Sequence, residues 1–144
     1  MKQIYRVDKG GNLAQALSGI TAPKLLLLMS NKEQFEKHVE ELEQHFPGVP
    51  SIGCIGGSYG GQTVAVDNGV AVIAIDGNLN VVTNVLEEAS TMPVKYIGRL
   101  ESDISKVGAS ESNTVCLDFC SGNDACVLTT ISVSYTHLTL PTKA

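Results

Sequence analysis

A continuous apolar run, Leu25-Leu26-Leu27-Leu28-Met29, then an amphipathic segment and a second short apolar stretch, constrains this chain more than anything else in it. Pro23 precedes the run and Ser30-Asn31 closes it, a length that suits a strand covered on both faces. Asn31 is placed to cap a helix over residues 32–46, which Pro47-Gly48 ends. Phe35, Val39, Leu42 and Phe46 fall at i, i+4, i+7 and i+11 and so share one face of that helix. Glu33, Glu36, Lys37, Glu40, Glu41, Glu43 and Gln44 make the opposite, solvated face, with Glu33 and Lys37 at i,i+4 spacing for an ion pair. Residues 50–55 then return as a strand. The unit over residues 24–55 is strand–helix–strand, which favours parallel strands joined by a right-handed crossover.

Around this unit the pattern predicts further elements. Residues 3–7 read as a short strand, broken by Gly10-Gly11, and Asn12 can cap a short helix over 13–17 closed by Gly19. Val64 and Val66, then Asp67-Asn68-Gly69, then residues 70–75 read as a hairpin with a tight turn. Residues 80–86 suggest another strand. Thr91 or Met92 before Pro93 marks a helix start, and Val94, Ile97, Leu100, Ile104 and Val107 carry helical spacing to Gly108, although Gly98 weakens the segment. Residues 114–120 alternate as a strand, Ser121-Gly122-Asn123 turns it, and a helix begins at Asp124. The expected fold class is α/β: a mixed β-sheet with flanking helices, an incomplete single domain.

Composition narrows the functions. The 144 residues carry a formal net charge of −5, with 43% apolar and 17% charged residues, the make-up of a globular interior. Nucleic acids and anionic membrane surfaces are attracted to clustered Lys and Arg, which this balance does not offer. No apolar run approaches the ~20 residues of a membrane-spanning helix, and the first eight residues lack the apolar core of an export signal. Cys54, Cys116, Cys120 and Cys126 sit mostly in apolar stretches, as reduced core thiols do, so a cytoplasmic location is expected.

The chemistry-bearing segment is Gly53-Cys54-Ile55-Gly56-Gly57-Ser58-Tyr59-Gly60-Gly61, with five glycines in nine residues. Such backbone admits positive φ and close approach of a ligand. A phosphate-cradling loop would deliver its anion to a helix N-terminus; this segment leads into a strand and is no mononucleotide motif. A second polar loop, Asp118-Phe119-Cys120-Ser121-Gly122-Asn123-Asp124, also follows a strand. Ligands of open α/β sheets collect at the carboxyl ends of strands. Gly53, Cys54, Gly56, Gly57, Ser58, Tyr59, Asp118, Ser121 and Asn123 are therefore the candidate pocket for a small-molecule ligand. The competing explanation is that these residues only make turns.

Other constellations carry less. Cys116 and Cys120 would lie about 13 Å apart on an extended strand, too far to share one ion. His38 and His45, with Glu41 between them, flank the helix stripe but equally suit boundary positions with a polar tip. Neither metal nor cofactor is expected. Gly56, Ser58 and Gly60 satisfy G-x-S-x-G literally, yet no helix follows at once and His137 is the only later histidine. A thiol enzyme using Cys54, or a hydroxyl one using Ser58, remains the alternative to a binding module. Cys54 has no Lys, Arg or His near it in sequence to lower its pKa.

At Gly53-Cys54-Ile55-Gly56-Gly57-Ser58-Tyr59-Gly60 the chain resembles the N-terminal half of FIST domains, whose stretch here runs Ile-Gly-Cys-Ser-Thr-x-Gly-Glu. The surroundings are similar too: an apolar strand (25–29), an acidic helix ending in Phe-Pro (33–47), a strand of Val-Ala-Val-Ile-Ala character (70–75), and a late strand ending in an acid-glycine turn (118–124). Gly53 and Cys54 match closely, Gly57 less so; Ile55-Gly56 stand where the family has Ser-Thr, and the acidic residue is missing from 59–61. The resemblance spans about residues 20–132. It implies a bacterial, intracellular, non-catalytic sensory domain that binds a small ligand such as an amino acid and reports to a downstream signalling domain.

The C-terminal residues have a different expected origin. Residues 133–142, Val-Ser-Tyr-Thr-His-Leu-Thr-Leu-Pro-Thr, match the third-frame translation of a transposase adapter used in sequencing libraries. Segments of that kind are set aside in reasoning about a fold. Residues 20–132 are thus expected to be a partial FIST N-terminal domain, and 133–144 an artefact tail.

Overall fold

The computed structural model describes residues 1–56, 58–60, 64–66, 68–88, 91, 93–110 and 112–119, with backbone alone for 58–60, 64–66 and 93. They fall into two compact units, one ending at Thr83 and the other beginning at Asn84.

The first unit is built on a mixed four-stranded sheet. In chain order it comprises β1 (Lys2–Asp8), α1 (Leu13–Ala16), β2 (Leu25–Ser30), α2 (Phe35–His45), β3 (Ser51–Ile55), β4 (Ser58–Gly60), β5 (Val64–Val66) and β6 (Val70–Asp76). The sheet order is β1-β6-β2-β3. β2 and β3 are parallel, with Leu28 opposite Gly53 and Met29 opposite Cys54, as a strand–helix–strand crossover requires. β6 runs antiparallel to both β1 and β2.

Alternation along each strand explains the core. Leu26 and Leu28 of β2 and Val70, Val72 and Ala74 of β6 meet Leu13, Ala16, Leu17 and Ile20 around α1 and Leu42 of α2. The next residues along, Leu27 and Ala71, are buried on the other face, so the leucine run is covered on both sides, as its composition suggests. Asn12 caps α1 as expected, whereas α2 begins only at Phe35 and Asn31 organises the turn before it. The Asn12 side chain accepts from Gln15 N at 3.1 Å, and the Asn31 side chain accepts from Gln34 N at 2.9 Å.

Several expectations need correction. Val64–Val66 does not pair with Val70–Asp76. Both edges of β6 are already taken by β1 and β2, so β5 pairs with β4, Ser58 opposite Val66. The glycine run is accordingly not one loop: Gly53 and Cys54 belong to β3, and Ser58 and Gly60 to β4. Lys37 pairs with Glu41 at 3.6 Å, not with Glu33, because α2 starts at Phe35 and Glu33 stands in the turn before it.

The second unit contains a 3-10 turn (Pro93–Tyr96) that runs into α3 (Ile97–Val107), ended by Gly108 in the left-handed conformation. Asp103, buried on α3, accepts from the Asn84 side-chain amide and from Lys106 Nζ at 3.0 Å. Tyr96 is buried, with Lys95 and Arg99 over its ring at 5.4 and 5.5 Å. Residues 80–86 and 114–119 are not strands. A strand exists only when a neighbour takes its ladder, and alternation alone supplies no neighbour. Val115, Leu117 and Phe119 are correspondingly exposed. The turn and helix expected over 121–132 and the tail over 133–144 lie outside the described residues.

Candidate functional site

The parallel pair β2 and β3 brings two carboxyl ends to one side of the sheet, the place where ligands gather in α/β folds. At that end Gly56 N donates to Ser30 O at 3.0 Å, tying the bend after β3 to the last residue of β2. A Cβ on Gly56 would find no atom of the other described residues within 4 Å, so that side of the glycine is open among them. Asn31 follows Ser30 and organises the first turn before α2.

Gly53 differs. A Cβ there would lie 3.3 Å from two atoms of the Phe35 ring and 3.4 Å from Leu28 O. This glycine lets α2 settle on β3, with the Phe35 ring against that face of its backbone. Cys54 points to the opposite face, level with Met29. It is half-buried, and desolvation raises its pKa above the ordinary thiol value. A thiol held protonated is a weak nucleophile.

The other expected residues belong to other elements. Ser58 and Tyr59 lie in β4, opposite Val66 and Ala65, while Gly57 is outside the described residues. Asp118, in the second unit, is exposed and accepts from the Cys116 thiol at 3.5 Å. Desolvation of that thiol, together with the Asp118 carboxylate, pushes Cys116 up to about 11. Ser121 and Asn123 lie outside the described residues. Gly53, Cys54 and Gly56 are thus gathered at one strand end.

Close to that end is a polar cluster that sequence reasoning missed. His38 is fully buried, not a boundary residue: Nε2 lies 2.9 Å from Gly11 O and Nδ1 lies 2.7 Å from Ser30 Oγ. A carbonyl only accepts, so Nε2 carries the hydrogen, and in the neutral ring Nδ1 accepts from the Ser30 hydroxyl. The pair resembles a serine–histidine dyad, but both residues are 0% exposed and no substrate reaches them. Their role is to lock α2 to β2 and to the turn before α1. Gly11, at φ +77°, completes the lock, since a Cβ there would lie 2.6 Å from Gln34 Oε1 and 2.7 Å from Asn68 O. The signal was present in the spacing: His38 stands three residues after Phe35 and four before Leu42, inside the apolar stripe. His45 is exposed, its Nδ1 2.8 Å from Glu41 O. Among the described residues no three His, Cys, Asp or Glu side chains converge as metal ligands.

Comparison with known families decides what this architecture is. The model of the FIST N domain matches residues 24–140. The chain belongs to the FIST family. No curated protein and no solved structure matches it. FIST domains are sensory modules of signal-transduction proteins. The match spans the crossover unit, the bend after β3 and β6, which are the elements that build the site. No helix among the described residues of this FIST domain is long and apolar enough to cross a membrane.

Proposed function

We propose that this FIST domain is a cytoplasmic, non-catalytic sensor of a small solute, possessing a free amino acid's mix of charged and polar groups. The solute binds at the bend after β3. Cys54 and Gly56 stand at that bend, and Ser58 and Tyr59 follow it directly along the chain. A signalling domain elsewhere in the full-length protein reads the result. The observation that carries this reading is the Gly56 backbone, open at the carboxyl end of two parallel strands. The Gly56 N–H is given to Ser30 O, and the missing side chain lets a small solute approach the backbone closely. Signalling then requires that the ligand favour one of two conformations.

The enzyme reading through Cys54 is weaker, because burial holds that thiol protonated. A thermal-shift panel of amino acids separates the two. A ligand that binds the native state at a hundred times its Kd adds about 2.7 kcal/mol of stability. The proposal expects such a shift for at least one amino acid, lost in Ser58→Ala and kept in Cys54→Ala. Alkylation of Cys54 at neutral pH faster than free cysteine would instead favour thiol chemistry.

A further inference from the structure

The sheet has two outer strands, and they are defended differently. β1 carries Lys2 and Arg6, both exposed, and the Arg6 guanidinium donates to Tyr5 O at 3.0 Å. Charged side chains on an outer strand discourage pairing with another chain. β3, Ser51-Ile52-Gly53-Cys54-Ile55, carries no charge, and among the described residues β2 is its one ladder partner. Ser51, Gly53 and Ile55 are exposed, Ile55 at 56%.

The ladder fixes which groups β3 offers. Leu26 N donates to Pro50 O at 3.1 Å, and Gly56 N donates to Ser30 O at 3.0 Å. In a parallel ladder a residue turns its N–H and C=O to the same side. Positions 50, 52, 54 and 56 therefore face β2, and Ser51, Gly53 and Ile55 present their N–H and C=O outward.

The flank of α2 above this strand is acidic. Phe35 rests on Gly53 of β3, and His38 reaches Ser30 of β2. At about 100° per residue, His38 lies ~60° to one side of Phe35, while Val39, Glu43 and Glu36 lie ~40°, ~80° and ~100° to the other. Val39 (44% exposed), Glu43 and Glu36 thus overhang the outer side of β3. Lys37 is held by Glu41 on the far flank and does not neutralise them.

We propose that the outer side of β3 is a strand-addition site for an extended basic segment of a partner protein. Alternate residues of that segment pass beneath Glu36 and Glu43, and the residues between them lie beside Ile52 and Cys54. Main-chain bonds to Ser51, Gly53 and Ile55 hold it, and the carboxylates of α2 select its charge. This site adjoins the bend of the solute-binding reading, sharing Cys54 with it, and stands without that reading.

The test uses the full chain and a capped heptapeptide alternating valine and lysine, with a valine–glutamate analogue and a lysine peptide N-methylated at alternate residues. Amide exchange and binding are followed by NMR at low salt. The proposal expects fast exchange at Gly53 and Ile55 in the free protein, slowed by the lysine peptide. It expects binding about tenfold weaker or worse for the glutamate analogue and loss of binding for the N-methylated one. Ile55→Pro, which removes an outward N–H and leaves the β2 ladder intact, should also abolish binding, and Glu36→Lys should weaken it. Protection of Gly53 and Ile55 in the free protein, no binding of the lysine peptide, or equal binding of its N-methylated form each overturns the proposal.

Discussion

The two units of this chain are held by different forces. In residues 1–83 the described core is almost wholly apolar, with Leu13, Leu26, Leu28, Val70 and Val72 each at 2% exposure or less. In the described part of the second unit Tyr96, at 4%, is the one buried apolar residue, and the main anchors are polar: Asp103 with Asn84 and Lys106, and Tyr96 with Lys95 and Arg99. Fully burying a leucine stabilises by about 1.5–3 kcal/mol, whereas a hydrogen bond nets about 1 kcal/mol. The contrast teaches that the first unit owes its stability to layered packing and the second to a few directional contacts.

Mutations sharpen that contrast. Leu26→Ala should cost about 2–5 kcal/mol in chemical denaturation; a cost near zero would mean that the apolar layer is not what holds the first unit. His38→Ala comes next: it strands the Gly11 carbonyl, at about 1–3 kcal/mol for a buried group left unpaired, while the Ser30 hydroxyl can still donate to Asn31 O at 3.3 Å. Asp103→Ala should destabilise the second unit by about 1–3 kcal/mol through the lost Asn84 and Lys106 contacts, and leave amide exchange around β2 and β6 unchanged. The smallest effect has the opposite sign. Gly98 sits on an exposed part of α3 with open space where a Cβ would be, so Gly98→Ala should raise stability by about 0.5–1 kcal/mol.

The same contrast explains what was legible in the sequence. Where an element's partners are its chain neighbours, local pattern sufficed: the leucine strand, the cap at Asn12, the α2 crossover and the end of α3 at Gly108 all stand as the residues suggest. Pattern failed where pairing is non-local. Nothing in Val64–Val66 announces that β6 has no edge to spare, because that depends on β1, some sixty residues earlier. Residues 114–119 alternate convincingly and still make no ladder. At the site, the glycine run marked the bend correctly at Gly56 but concealed that Gly53 is a packing glycine, since a ring on a helix leaves no local trace. His38 was hidden for a related reason: a polar residue inside an apolar stripe is understood only once its partners on β2 and before α1 are known.

The central claim is that a solute engages the open backbone after β3, and backbone NMR of the full chain during titration with amino acids tests it most directly. The account predicts saturable shifts at the Gly56 amide and at Ser30 and Asn31 beside it, with β1 and α3 unmoved. Titration of the whole amino-acid panel with no change at Gly56, or with saturable shifts confined to other elements, would contradict it.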